Sequence, residues 1–172
     1  MISTRYARAI YAFAAEKSSE DAVYREMKLL IHNFSAYPVL RKVMSDPTVS
    51  SNEKIKLLTT ACGIQVGEVL KHIVRTVVEN GRANQMENIA LMYGEVYKKA
   101  KGIVSAQLTT VEPAGEKIKA ALIKVISNGT SENVEFQTHT DPELIGGFVL
   151  EVGDQRLDAS VKDQLRRMRY EF

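Results

Sequence analysis

The spacing of apolar residues changes at Gly102, and that change limits the fold more than any other feature of the chain. Before it, apolar residues recur every three or four positions, the period of a helix with one buried face. Tyr6, Ile10 and Phe13 stand at i, i+4 and i+7, with Ala7, Ala9, Ala12 and Ala14 between them. Ser3 or Thr4 is available as a cap. A second stripe, Val23, Met27, Leu30, Ile31 and Phe34, stops before Pro38, which disfavours helix at Tyr37. A short helix fits between Pro38 and Asp46. Ser50 or Ser51 then opens a segment to Cys62, with Ile55, Leu58 and Cys62 on one face and Gly63 as its stop. Leu70, Ile73, Val74, Val77 and Val78 form the next stripe, ended by Asn80-Gly81. Ile89, Met92, Tyr93, Val96 and Ala100 form the last, ended by Gly102. Short connections between these segments predict an antiparallel six-helix bundle.

After Gly102 the period falls toward two. Ile103, Val104, Ala106, Leu108 and Val111 read as strand, with polar residues interleaved from Ser105 to Thr110. A helix follows, with Pro113 suited to its first turn, an apolar face of Ile118, Leu122, Val125 and Ile126, and Asn128-Gly129 as its end. Val134, Phe136 and Thr138 alternate with Glu135, Gln137 and His139. Phe148 to Val152 is another strand, and Gly153-Asp154 suits a hairpin turn into Arg156-Leu157-Asp158. A final helix carries Val161, Leu165, Met168 and Phe172. The fold class expected is α+β: a helical bundle over residues 1–102, then a small α/β domain over 103–172.

Charge divides at the same place. Residues 1–102 hold 15 Lys and Arg against 10 Asp and Glu, a net of +5; residues 103–172 hold 8 against 11, a net of −3. The sum is the +2 of the whole chain. Two surfaces of opposite sign suggest two domains with different partners, joined near Lys98–Gly102.

Few residues are placed for chemistry. Cys62 is the single cysteine, which excludes an intrachain disulfide and a cysteine metal cluster. It falls on the apolar face of a helix and reads as a small core residue. His32, His72 and His139 are scattered without HxH or HxxxH spacing, so no metal site is expected. His32 and His72 read as solvated edge positions, and His139 as a surface neighbour of Asp141. Gly146-Gly147 is no dinucleotide fingerprint and there is no phosphate-binding loop motif, so no cofactor is expected. The two glycines permit either a tight bend at a strand start or the close approach of a neighbouring element. Arg166, Arg167 and Arg169 form a basic cluster, balanced by Asp163 and Glu171. With the basic helical half, it leaves a nucleic-acid-binding or other helical adaptor as the alternative reading. One thiol and an N-terminus without an apolar segment suggest a reducing, cytoplasmic setting. No apolar run approaches the roughly 20 residues of a membrane-spanning helix.

Three stretches, taken together and in order, resemble one family. They are Arg5-Tyr6-Ala7-Arg8-Ala9-Ile10-Tyr11; Val78-Glu79-Asn80-Gly81-Arg82; and Asp141-Pro142-Glu143-Leu144-Ile145-Gly146-Gly147-Phe148-Val149-Leu150-Glu151-Val152-Gly153-Asp154 followed by Leu157-Asp158-Ala159-Ser160-Val161. The family is the delta subunit of bacterial ATP synthase, related to the mitochondrial oligomycin-sensitivity-conferring protein. Its signature maps here onto Gly146, Gly147, Gly153, Asp154, Asp158 and Ser160, with Ala159 where the family often has Gly or Asn.

The resemblance implies a non-catalytic stator subunit of the rotary enzyme. Such a subunit links the catalytic head to the peripheral stalk and resists the rotor's torque. It also implies two partners. The N-terminal helix of an alpha subunit would lie in a groove between the first and fifth helices, lined by Tyr6, Ala9, Ile10 and Phe13 on one side and Leu70, Ile73, Val74 and Val77 on the other. The sequence leaves open which of these face the partner and which the core. The b subunits of the stalk would meet the C-terminal domain. The absence of a transit peptide implies a bacterial member, peripheral on the cytoplasmic face of the plasma membrane and in contact with the membrane only through the complex. No nucleic acid is implied.

Overall fold

A computed structural model describes residues 2–63, 65–130 and 133–170. The chain forms two compact units, one up to Lys98 and one from Lys99.

The first unit is all helix. Its elements are α1 (Ile2–Glu16), α2 (Glu20–Ala36), α3 (Val39–Ser45), α4 (Ser51–Cys62), α5 (Glu68–Glu79) and the greater part of α6 (Met86–Lys101). The apolar stripes explain them. Val23, Met27, Leu30 and Phe34 of α2 are all buried, as are Leu70, Ile73, Val74, Val77 and Val78 of α5. Ala7 and Ala14 of α1 have no exposed surface, so α1 approaches its neighbours closely on that side. Tyr93 of α6 is the largest fully buried side chain among the described residues, and its hydroxyl is satisfied by donating to the Glu20 carbonyl at 3.0 Å. Tyr97 stacks on Tyr24 with ring centroids 4.2 Å apart and donates to Asp21 Oδ1 at 2.9 Å.

Helix ends follow local chemistry. Ser50 caps α4 in a reciprocal box: its hydroxyl accepts from the Glu53 N–H, while the Glu53 carboxylate accepts from the Ser50 N–H. Asn80-Gly81 closes α5 with paired bonds, Gly81 N–H to the Val78 carbonyl and Arg82 N–H to the Val77 carbonyl. Helix α1 begins at Ile2, so Ser3 and Thr4 lie within its first turn rather than capping it. The seven-residue α3 is tied down by a two-bond ion pair, Arg41 Nε and one terminal guanidinium nitrogen to the two carboxylate oxygens of Glu87 on α6, each 2.6 Å.

The second unit holds β1 (Ile103–Thr110), α7 (Glu116–Thr130), β2 (Asn133–Thr140), β3 (Phe148–Val152), β4 (Gln155–Asp158) and α8 (Val161–Tyr170). Its strand order is β2-β1-β3-β4. β1 and β2 run parallel, Ile103 opposite Asn133, which the intervening α7 makes possible as a crossover. β3 returns antiparallel to β1, and β4 antiparallel to β3 through the Gly153-Asp154 turn. Ala106, Leu108, Val149, Ile126 and Leu144 are buried.

Two expectations about α7 change. Pro113 stands in the connection before the helix rather than in its first turn, and Asn128-Gly129 does not end it. Asparagine and glycine end a helix only where the backbone takes up the turn they permit, and here it stays helical to Thr130. Its apolar face is also less covered than the pattern implies. Ile126 is buried, but Ile118 is 56% and Val125 68% exposed. Phe172, assigned by sequence to the last helical stripe, lies outside the described residues, as do the side chains of Met168 and Arg169.

Candidate functional site

The helical unit carries an apolar groove of about 210 Å³ between α1 and α5. Helix α1 supplies Tyr6, Ala9, Ile10 and Phe13, four positions on one helical edge at i, i+3, i+4 and i+7. Helix α5 supplies His72, Ile73, Thr76 and Val77. Ile10, Ile73 and Val77 are buried and form the floor. Tyr6 and Phe13 are half-buried walls, and Ala9 is exposed between them. A larger side chain than alanine at position 9 would stand in the opening.

Six of the eight residues that sequence reasoning assigned to a groove therefore meet in one. Leu70 and Val74 do not. Both are fully buried and lie outside the lining. Helical period alone puts Leu70, Ile73, Val74 and Val77 on one stripe; packing splits that stripe between core and groove. Sequence reasoning also missed His72 and Thr76. They are exposed, each one position before a floor residue, Ile73 and Val77. That adjacency to an apolar stripe was the available signal. The His72 ring packs on Phe13 with centroids 5.6 Å apart and planes at 44°. Thr76 Oγ1 donates to the His72 carbonyl at 2.9 Å and is thereby tied to its own helix.

In the second unit four of the six signature residues, Gly146, Gly147, Asp158 and Ser160, assemble around one backbone crossing. Gly147, at φ +76°, sits against the chain between β4 and α8: a Cβ there would stand 2.2 Å from the Ala159 carbonyl oxygen. The Val161 N–H donates to the Gly146 carbonyl at 3.0 Å, and the Ala159 N–H to the Phe148 carbonyl at 2.9 Å. Of the two readings of the glycine pair, close approach is the one built. Asp158 Oδ1 accepts from the Ser160 N–H at 3.0 Å and its hydroxyl at 2.6 Å, and these bonds hold the carboxyl below its usual range. Ser160 Oγ in turn accepts from the Asp163 N–H at 3.2 Å, capping α8. Gly153 and Asp154 form the β3–β4 turn. These six residues fold the unit; none is arranged as a reacting group.

Cys62 is 1% exposed, and burial with the nearby Glu26 charge pushes its thiol up to about 12. A thiol so far from ionisation is no nucleophile. Among the described residues, no three His, Cys, Asp or Glu side chains stand together as metal ligands. Arg166 and Arg167 are both paired with the buried Asp163, at 2.6 and 2.7 Å, which offsets much of the basic cluster behind the nucleic-acid reading. No helix among the described residues is long and apolar enough to cross a membrane.

The geometry defines a two-unit chain with an apolar inter-helix groove and signature residues placed for packing and capping. Comparison with known proteins makes the class specific. The family model for the ATP synthase delta (OSCP) subunit matches residues 2–172. A relative named ATP synthase subunit delta from Azobacteroides pseudotrichonymphae is 48% identical over 98% of this chain and 96% of its own. One from Phocaeicola vulgatus is 39% identical over 100% and 94%. In fold, the chain is similar to one in the mitochondrial ATP synthase hexamer of Toxoplasma gondii, with a TM-score of 0.77 at 20% identity, covering 99% of this chain and 97% of that one. The chain belongs to the ATP synthase delta (OSCP) subunit family. It is a non-catalytic stator subunit of the rotary ATP synthase, peripheral to that complex, and the nucleic-acid alternative finds no support.

Proposed function

We propose that the α1–α5 groove holds the N-terminal helix of an alpha subunit, and that residues 103–172 hold the b subunits of the peripheral stalk. The observation that carries the first assignment is the convergence of Tyr6, Ile10 and Phe13 with Ile73 and Val77 on one open apolar groove. An amphipathic helix laid there would cover side chains that the isolated bundle leaves half in water. The stalk assignment is supported by the apolar surface left open on the second unit, where Ile118, Val125 and Leu165 are each more than half exposed.

The mechanism is mechanical. The head must not turn with the rotor, so the link has to resist torque without slipping. Apolar burial and shape fit lengthen the life of a complex mainly by slowing dissociation. Two domains gripping two partners convert the second contact into an intramolecular one, which raises avidity. The division of labour assigned here is residues 1–102 to the head and 103–172 to the stalk, at the cytoplasmic face of the bacterial plasma membrane.

The test is calorimetry of the full chain with a peptide of the alpha subunit's N-terminal helix. Ala9→Arg places a long cation in the groove opening and is expected to weaken binding at least about 30-fold, the scale of a buried unpaired charge. Its far-ultraviolet circular dichroism should match the wild type, because Ala9 is exposed. Unchanged affinity in that variant overturns the groove assignment.

A further inference from the structure

In the second unit, one residue has both a strained backbone and an apolar side chain left in water. Ile145, between Leu144 and the glycine pair, has φ +65° and ψ −37°. Among the described residues only Ser18 shares a positive φ without being glycine, and a β-branched side chain makes that conformation still less favourable. The conformation is imposed by the neighbouring crossing, where the Val161 N–H donates to the Gly146 carbonyl and Gly147 lies against the Ala159 backbone. A glycine would meet it without steric conflict. The isoleucine side chain gains little from packing in return, because it is 65% exposed. Strain of this kind collects where a protein clamps a ligand.

Ile145 lines an open dish of about 990 Å³ together with Leu165 of α8, which is 52% exposed. Four cations line the same dish: Arg156, Lys162, Arg166 and Arg167. Each is paired within the chain, Arg156 with Glu151 and Asp158, Lys162 with Glu143, and both Arg166 and Arg167 with Asp163. The two signs are not equally open to a partner. All four cationic side chains are more than half exposed, whereas Asp163 is 7% and Asp158 24% exposed. Glu143 and Glu151 stand outside the lining. A partner entering the dish therefore meets an apolar centre with an outward positive rim.

From this geometry we infer that Ile145 and Leu165 form a docking surface for the stalk, and that its occupant is an acidic segment of a b subunit, an apolar side chain with carboxylates beside it. The inference rests on residues 103–172 being the half that holds the stalk. Covering Ile145 takes its apolar surface out of water, a gain that offsets the backbone strain. Carboxylates brought to the rim find guanidinium groups already held in place by the buried Asp163. Charge then steers the encounter, and apolar burial slows departure.

The experiment is calorimetric titration of the full chain with a soluble fragment of the b subunit from the same organism, beside thermal melts of each variant. Two substitutions separate docking from folding. Ile145→Gly suits the backbone better and removes the apolar contact. Its melting temperature is expected to hold or rise while its affinity for the fragment falls about tenfold, the scale of one anchoring side chain. Lys162→Glu puts an acid in the first turn of α8, where the helix favours it, and reverses one rim charge. Its melting temperature is expected to hold while affinity at low salt falls about fivefold. Where Ile145→Gly melts below wild type, Leu165→Ser on the open face of α8 decides in its place, with the same loss of about tenfold expected. Wild-type affinity in the deciding variant overturns the docking surface. Affinity unchanged or raised in Lys162→Glu overturns the acidic occupant. In both cases the stalk reading stands, because wild type still binds the fragment. No binding of the fragment by wild type removes the stalk reading and the inference with it.

Discussion

Gly147 and Ala159 are twelve positions apart in sequence, yet a single added carbon on Gly147 would lie 2.2 Å from the carbonyl oxygen of Ala159. The obstacle is backbone, which cannot swing aside as a side chain tip can. Gly147 also sits at φ +76°, a conformation that side-chain-bearing residues pay for. The contact fixes where the chain enters α8 relative to the start of β3, and it explains why a glycine pair stands in the signature.

Gly147→Ala should therefore destabilise the second unit by at least about 2 kcal/mol, the sum of left-handed strain and a backbone clash. Gly153→Ala is the control. It also has positive φ, +56°, but nothing lies within 4 Å of the added carbon. It should cost about 1 kcal/mol. Thermal unfolding of both variants would distinguish them, and equal losses would show that the crossing is looser than its geometry.

Asp158 predicts an acid limb. Its carboxyl is held low by hydrogen bonds from the Ser160 hydroxyl and N–H, so the folded state favours the ionised form. A depressed carboxylate contributes stability that is present above its unfolded value, near 3.9, and is lost as pH falls through the folded value. The second unit should lose stability below about pH 4, and Asp158→Asn should flatten that loss. Urea melts between neutral pH and the acid limb would measure it.

Capping gives a prediction for the first unit. Ser50→Ala removes the acceptor for the Glu53 N–H and breaks the box that starts α4. The expected cost is about 1 kcal/mol, read from the urea midpoint with an unchanged slope.

Cys62 should be silent in the native state. With its thiol pushed up to about 12 and 1% exposed, it should resist iodoacetamide at neutral pH and react stoichiometrically in denaturant. Fast labelling of native protein would mean that the α4 C-terminus opens. Cys62→Ala should leave peptide binding intact.

Residues 1–102 should fold alone. Their core, from Ala7 and Met27 to Tyr93, draws on helices within that segment, and the fragment should show helical circular dichroism with a cooperative melt.

Much of this was legible in the residues. Periodicity is a local property, so the stripes through Val23, Leu58 and Ile89 marked helices, and the alternation from Val134 to Thr138 marked a strand. Asn80-Gly81 and Ser50 marked helix ends because caps are built from neighbours in sequence. Where a local signal competes with packing, it misleads. Asn128-Gly129 resembles a stop but lies inside α7, and Pro113 resembles a first turn but lies before it. The groove was half legible. Tyr6, Ile10 and Phe13 announced one wall, but Leu70 and Val74 share a stripe with Ile73 and Val77 and turn into the core instead.

The sequence by itself determined the two-part plan, the helix and strand positions, the division of charge between the halves, and the family. All are properties of short windows or of their order. Only the tertiary structure decided that β1 pairs in parallel with β2, that Gly147 meets Ala159, and that His72 and Thr76 join the groove. Those relations depend on which elements pack together, and side chains far apart in sequence acquire a common environment only when burial brings their helices and strands into contact.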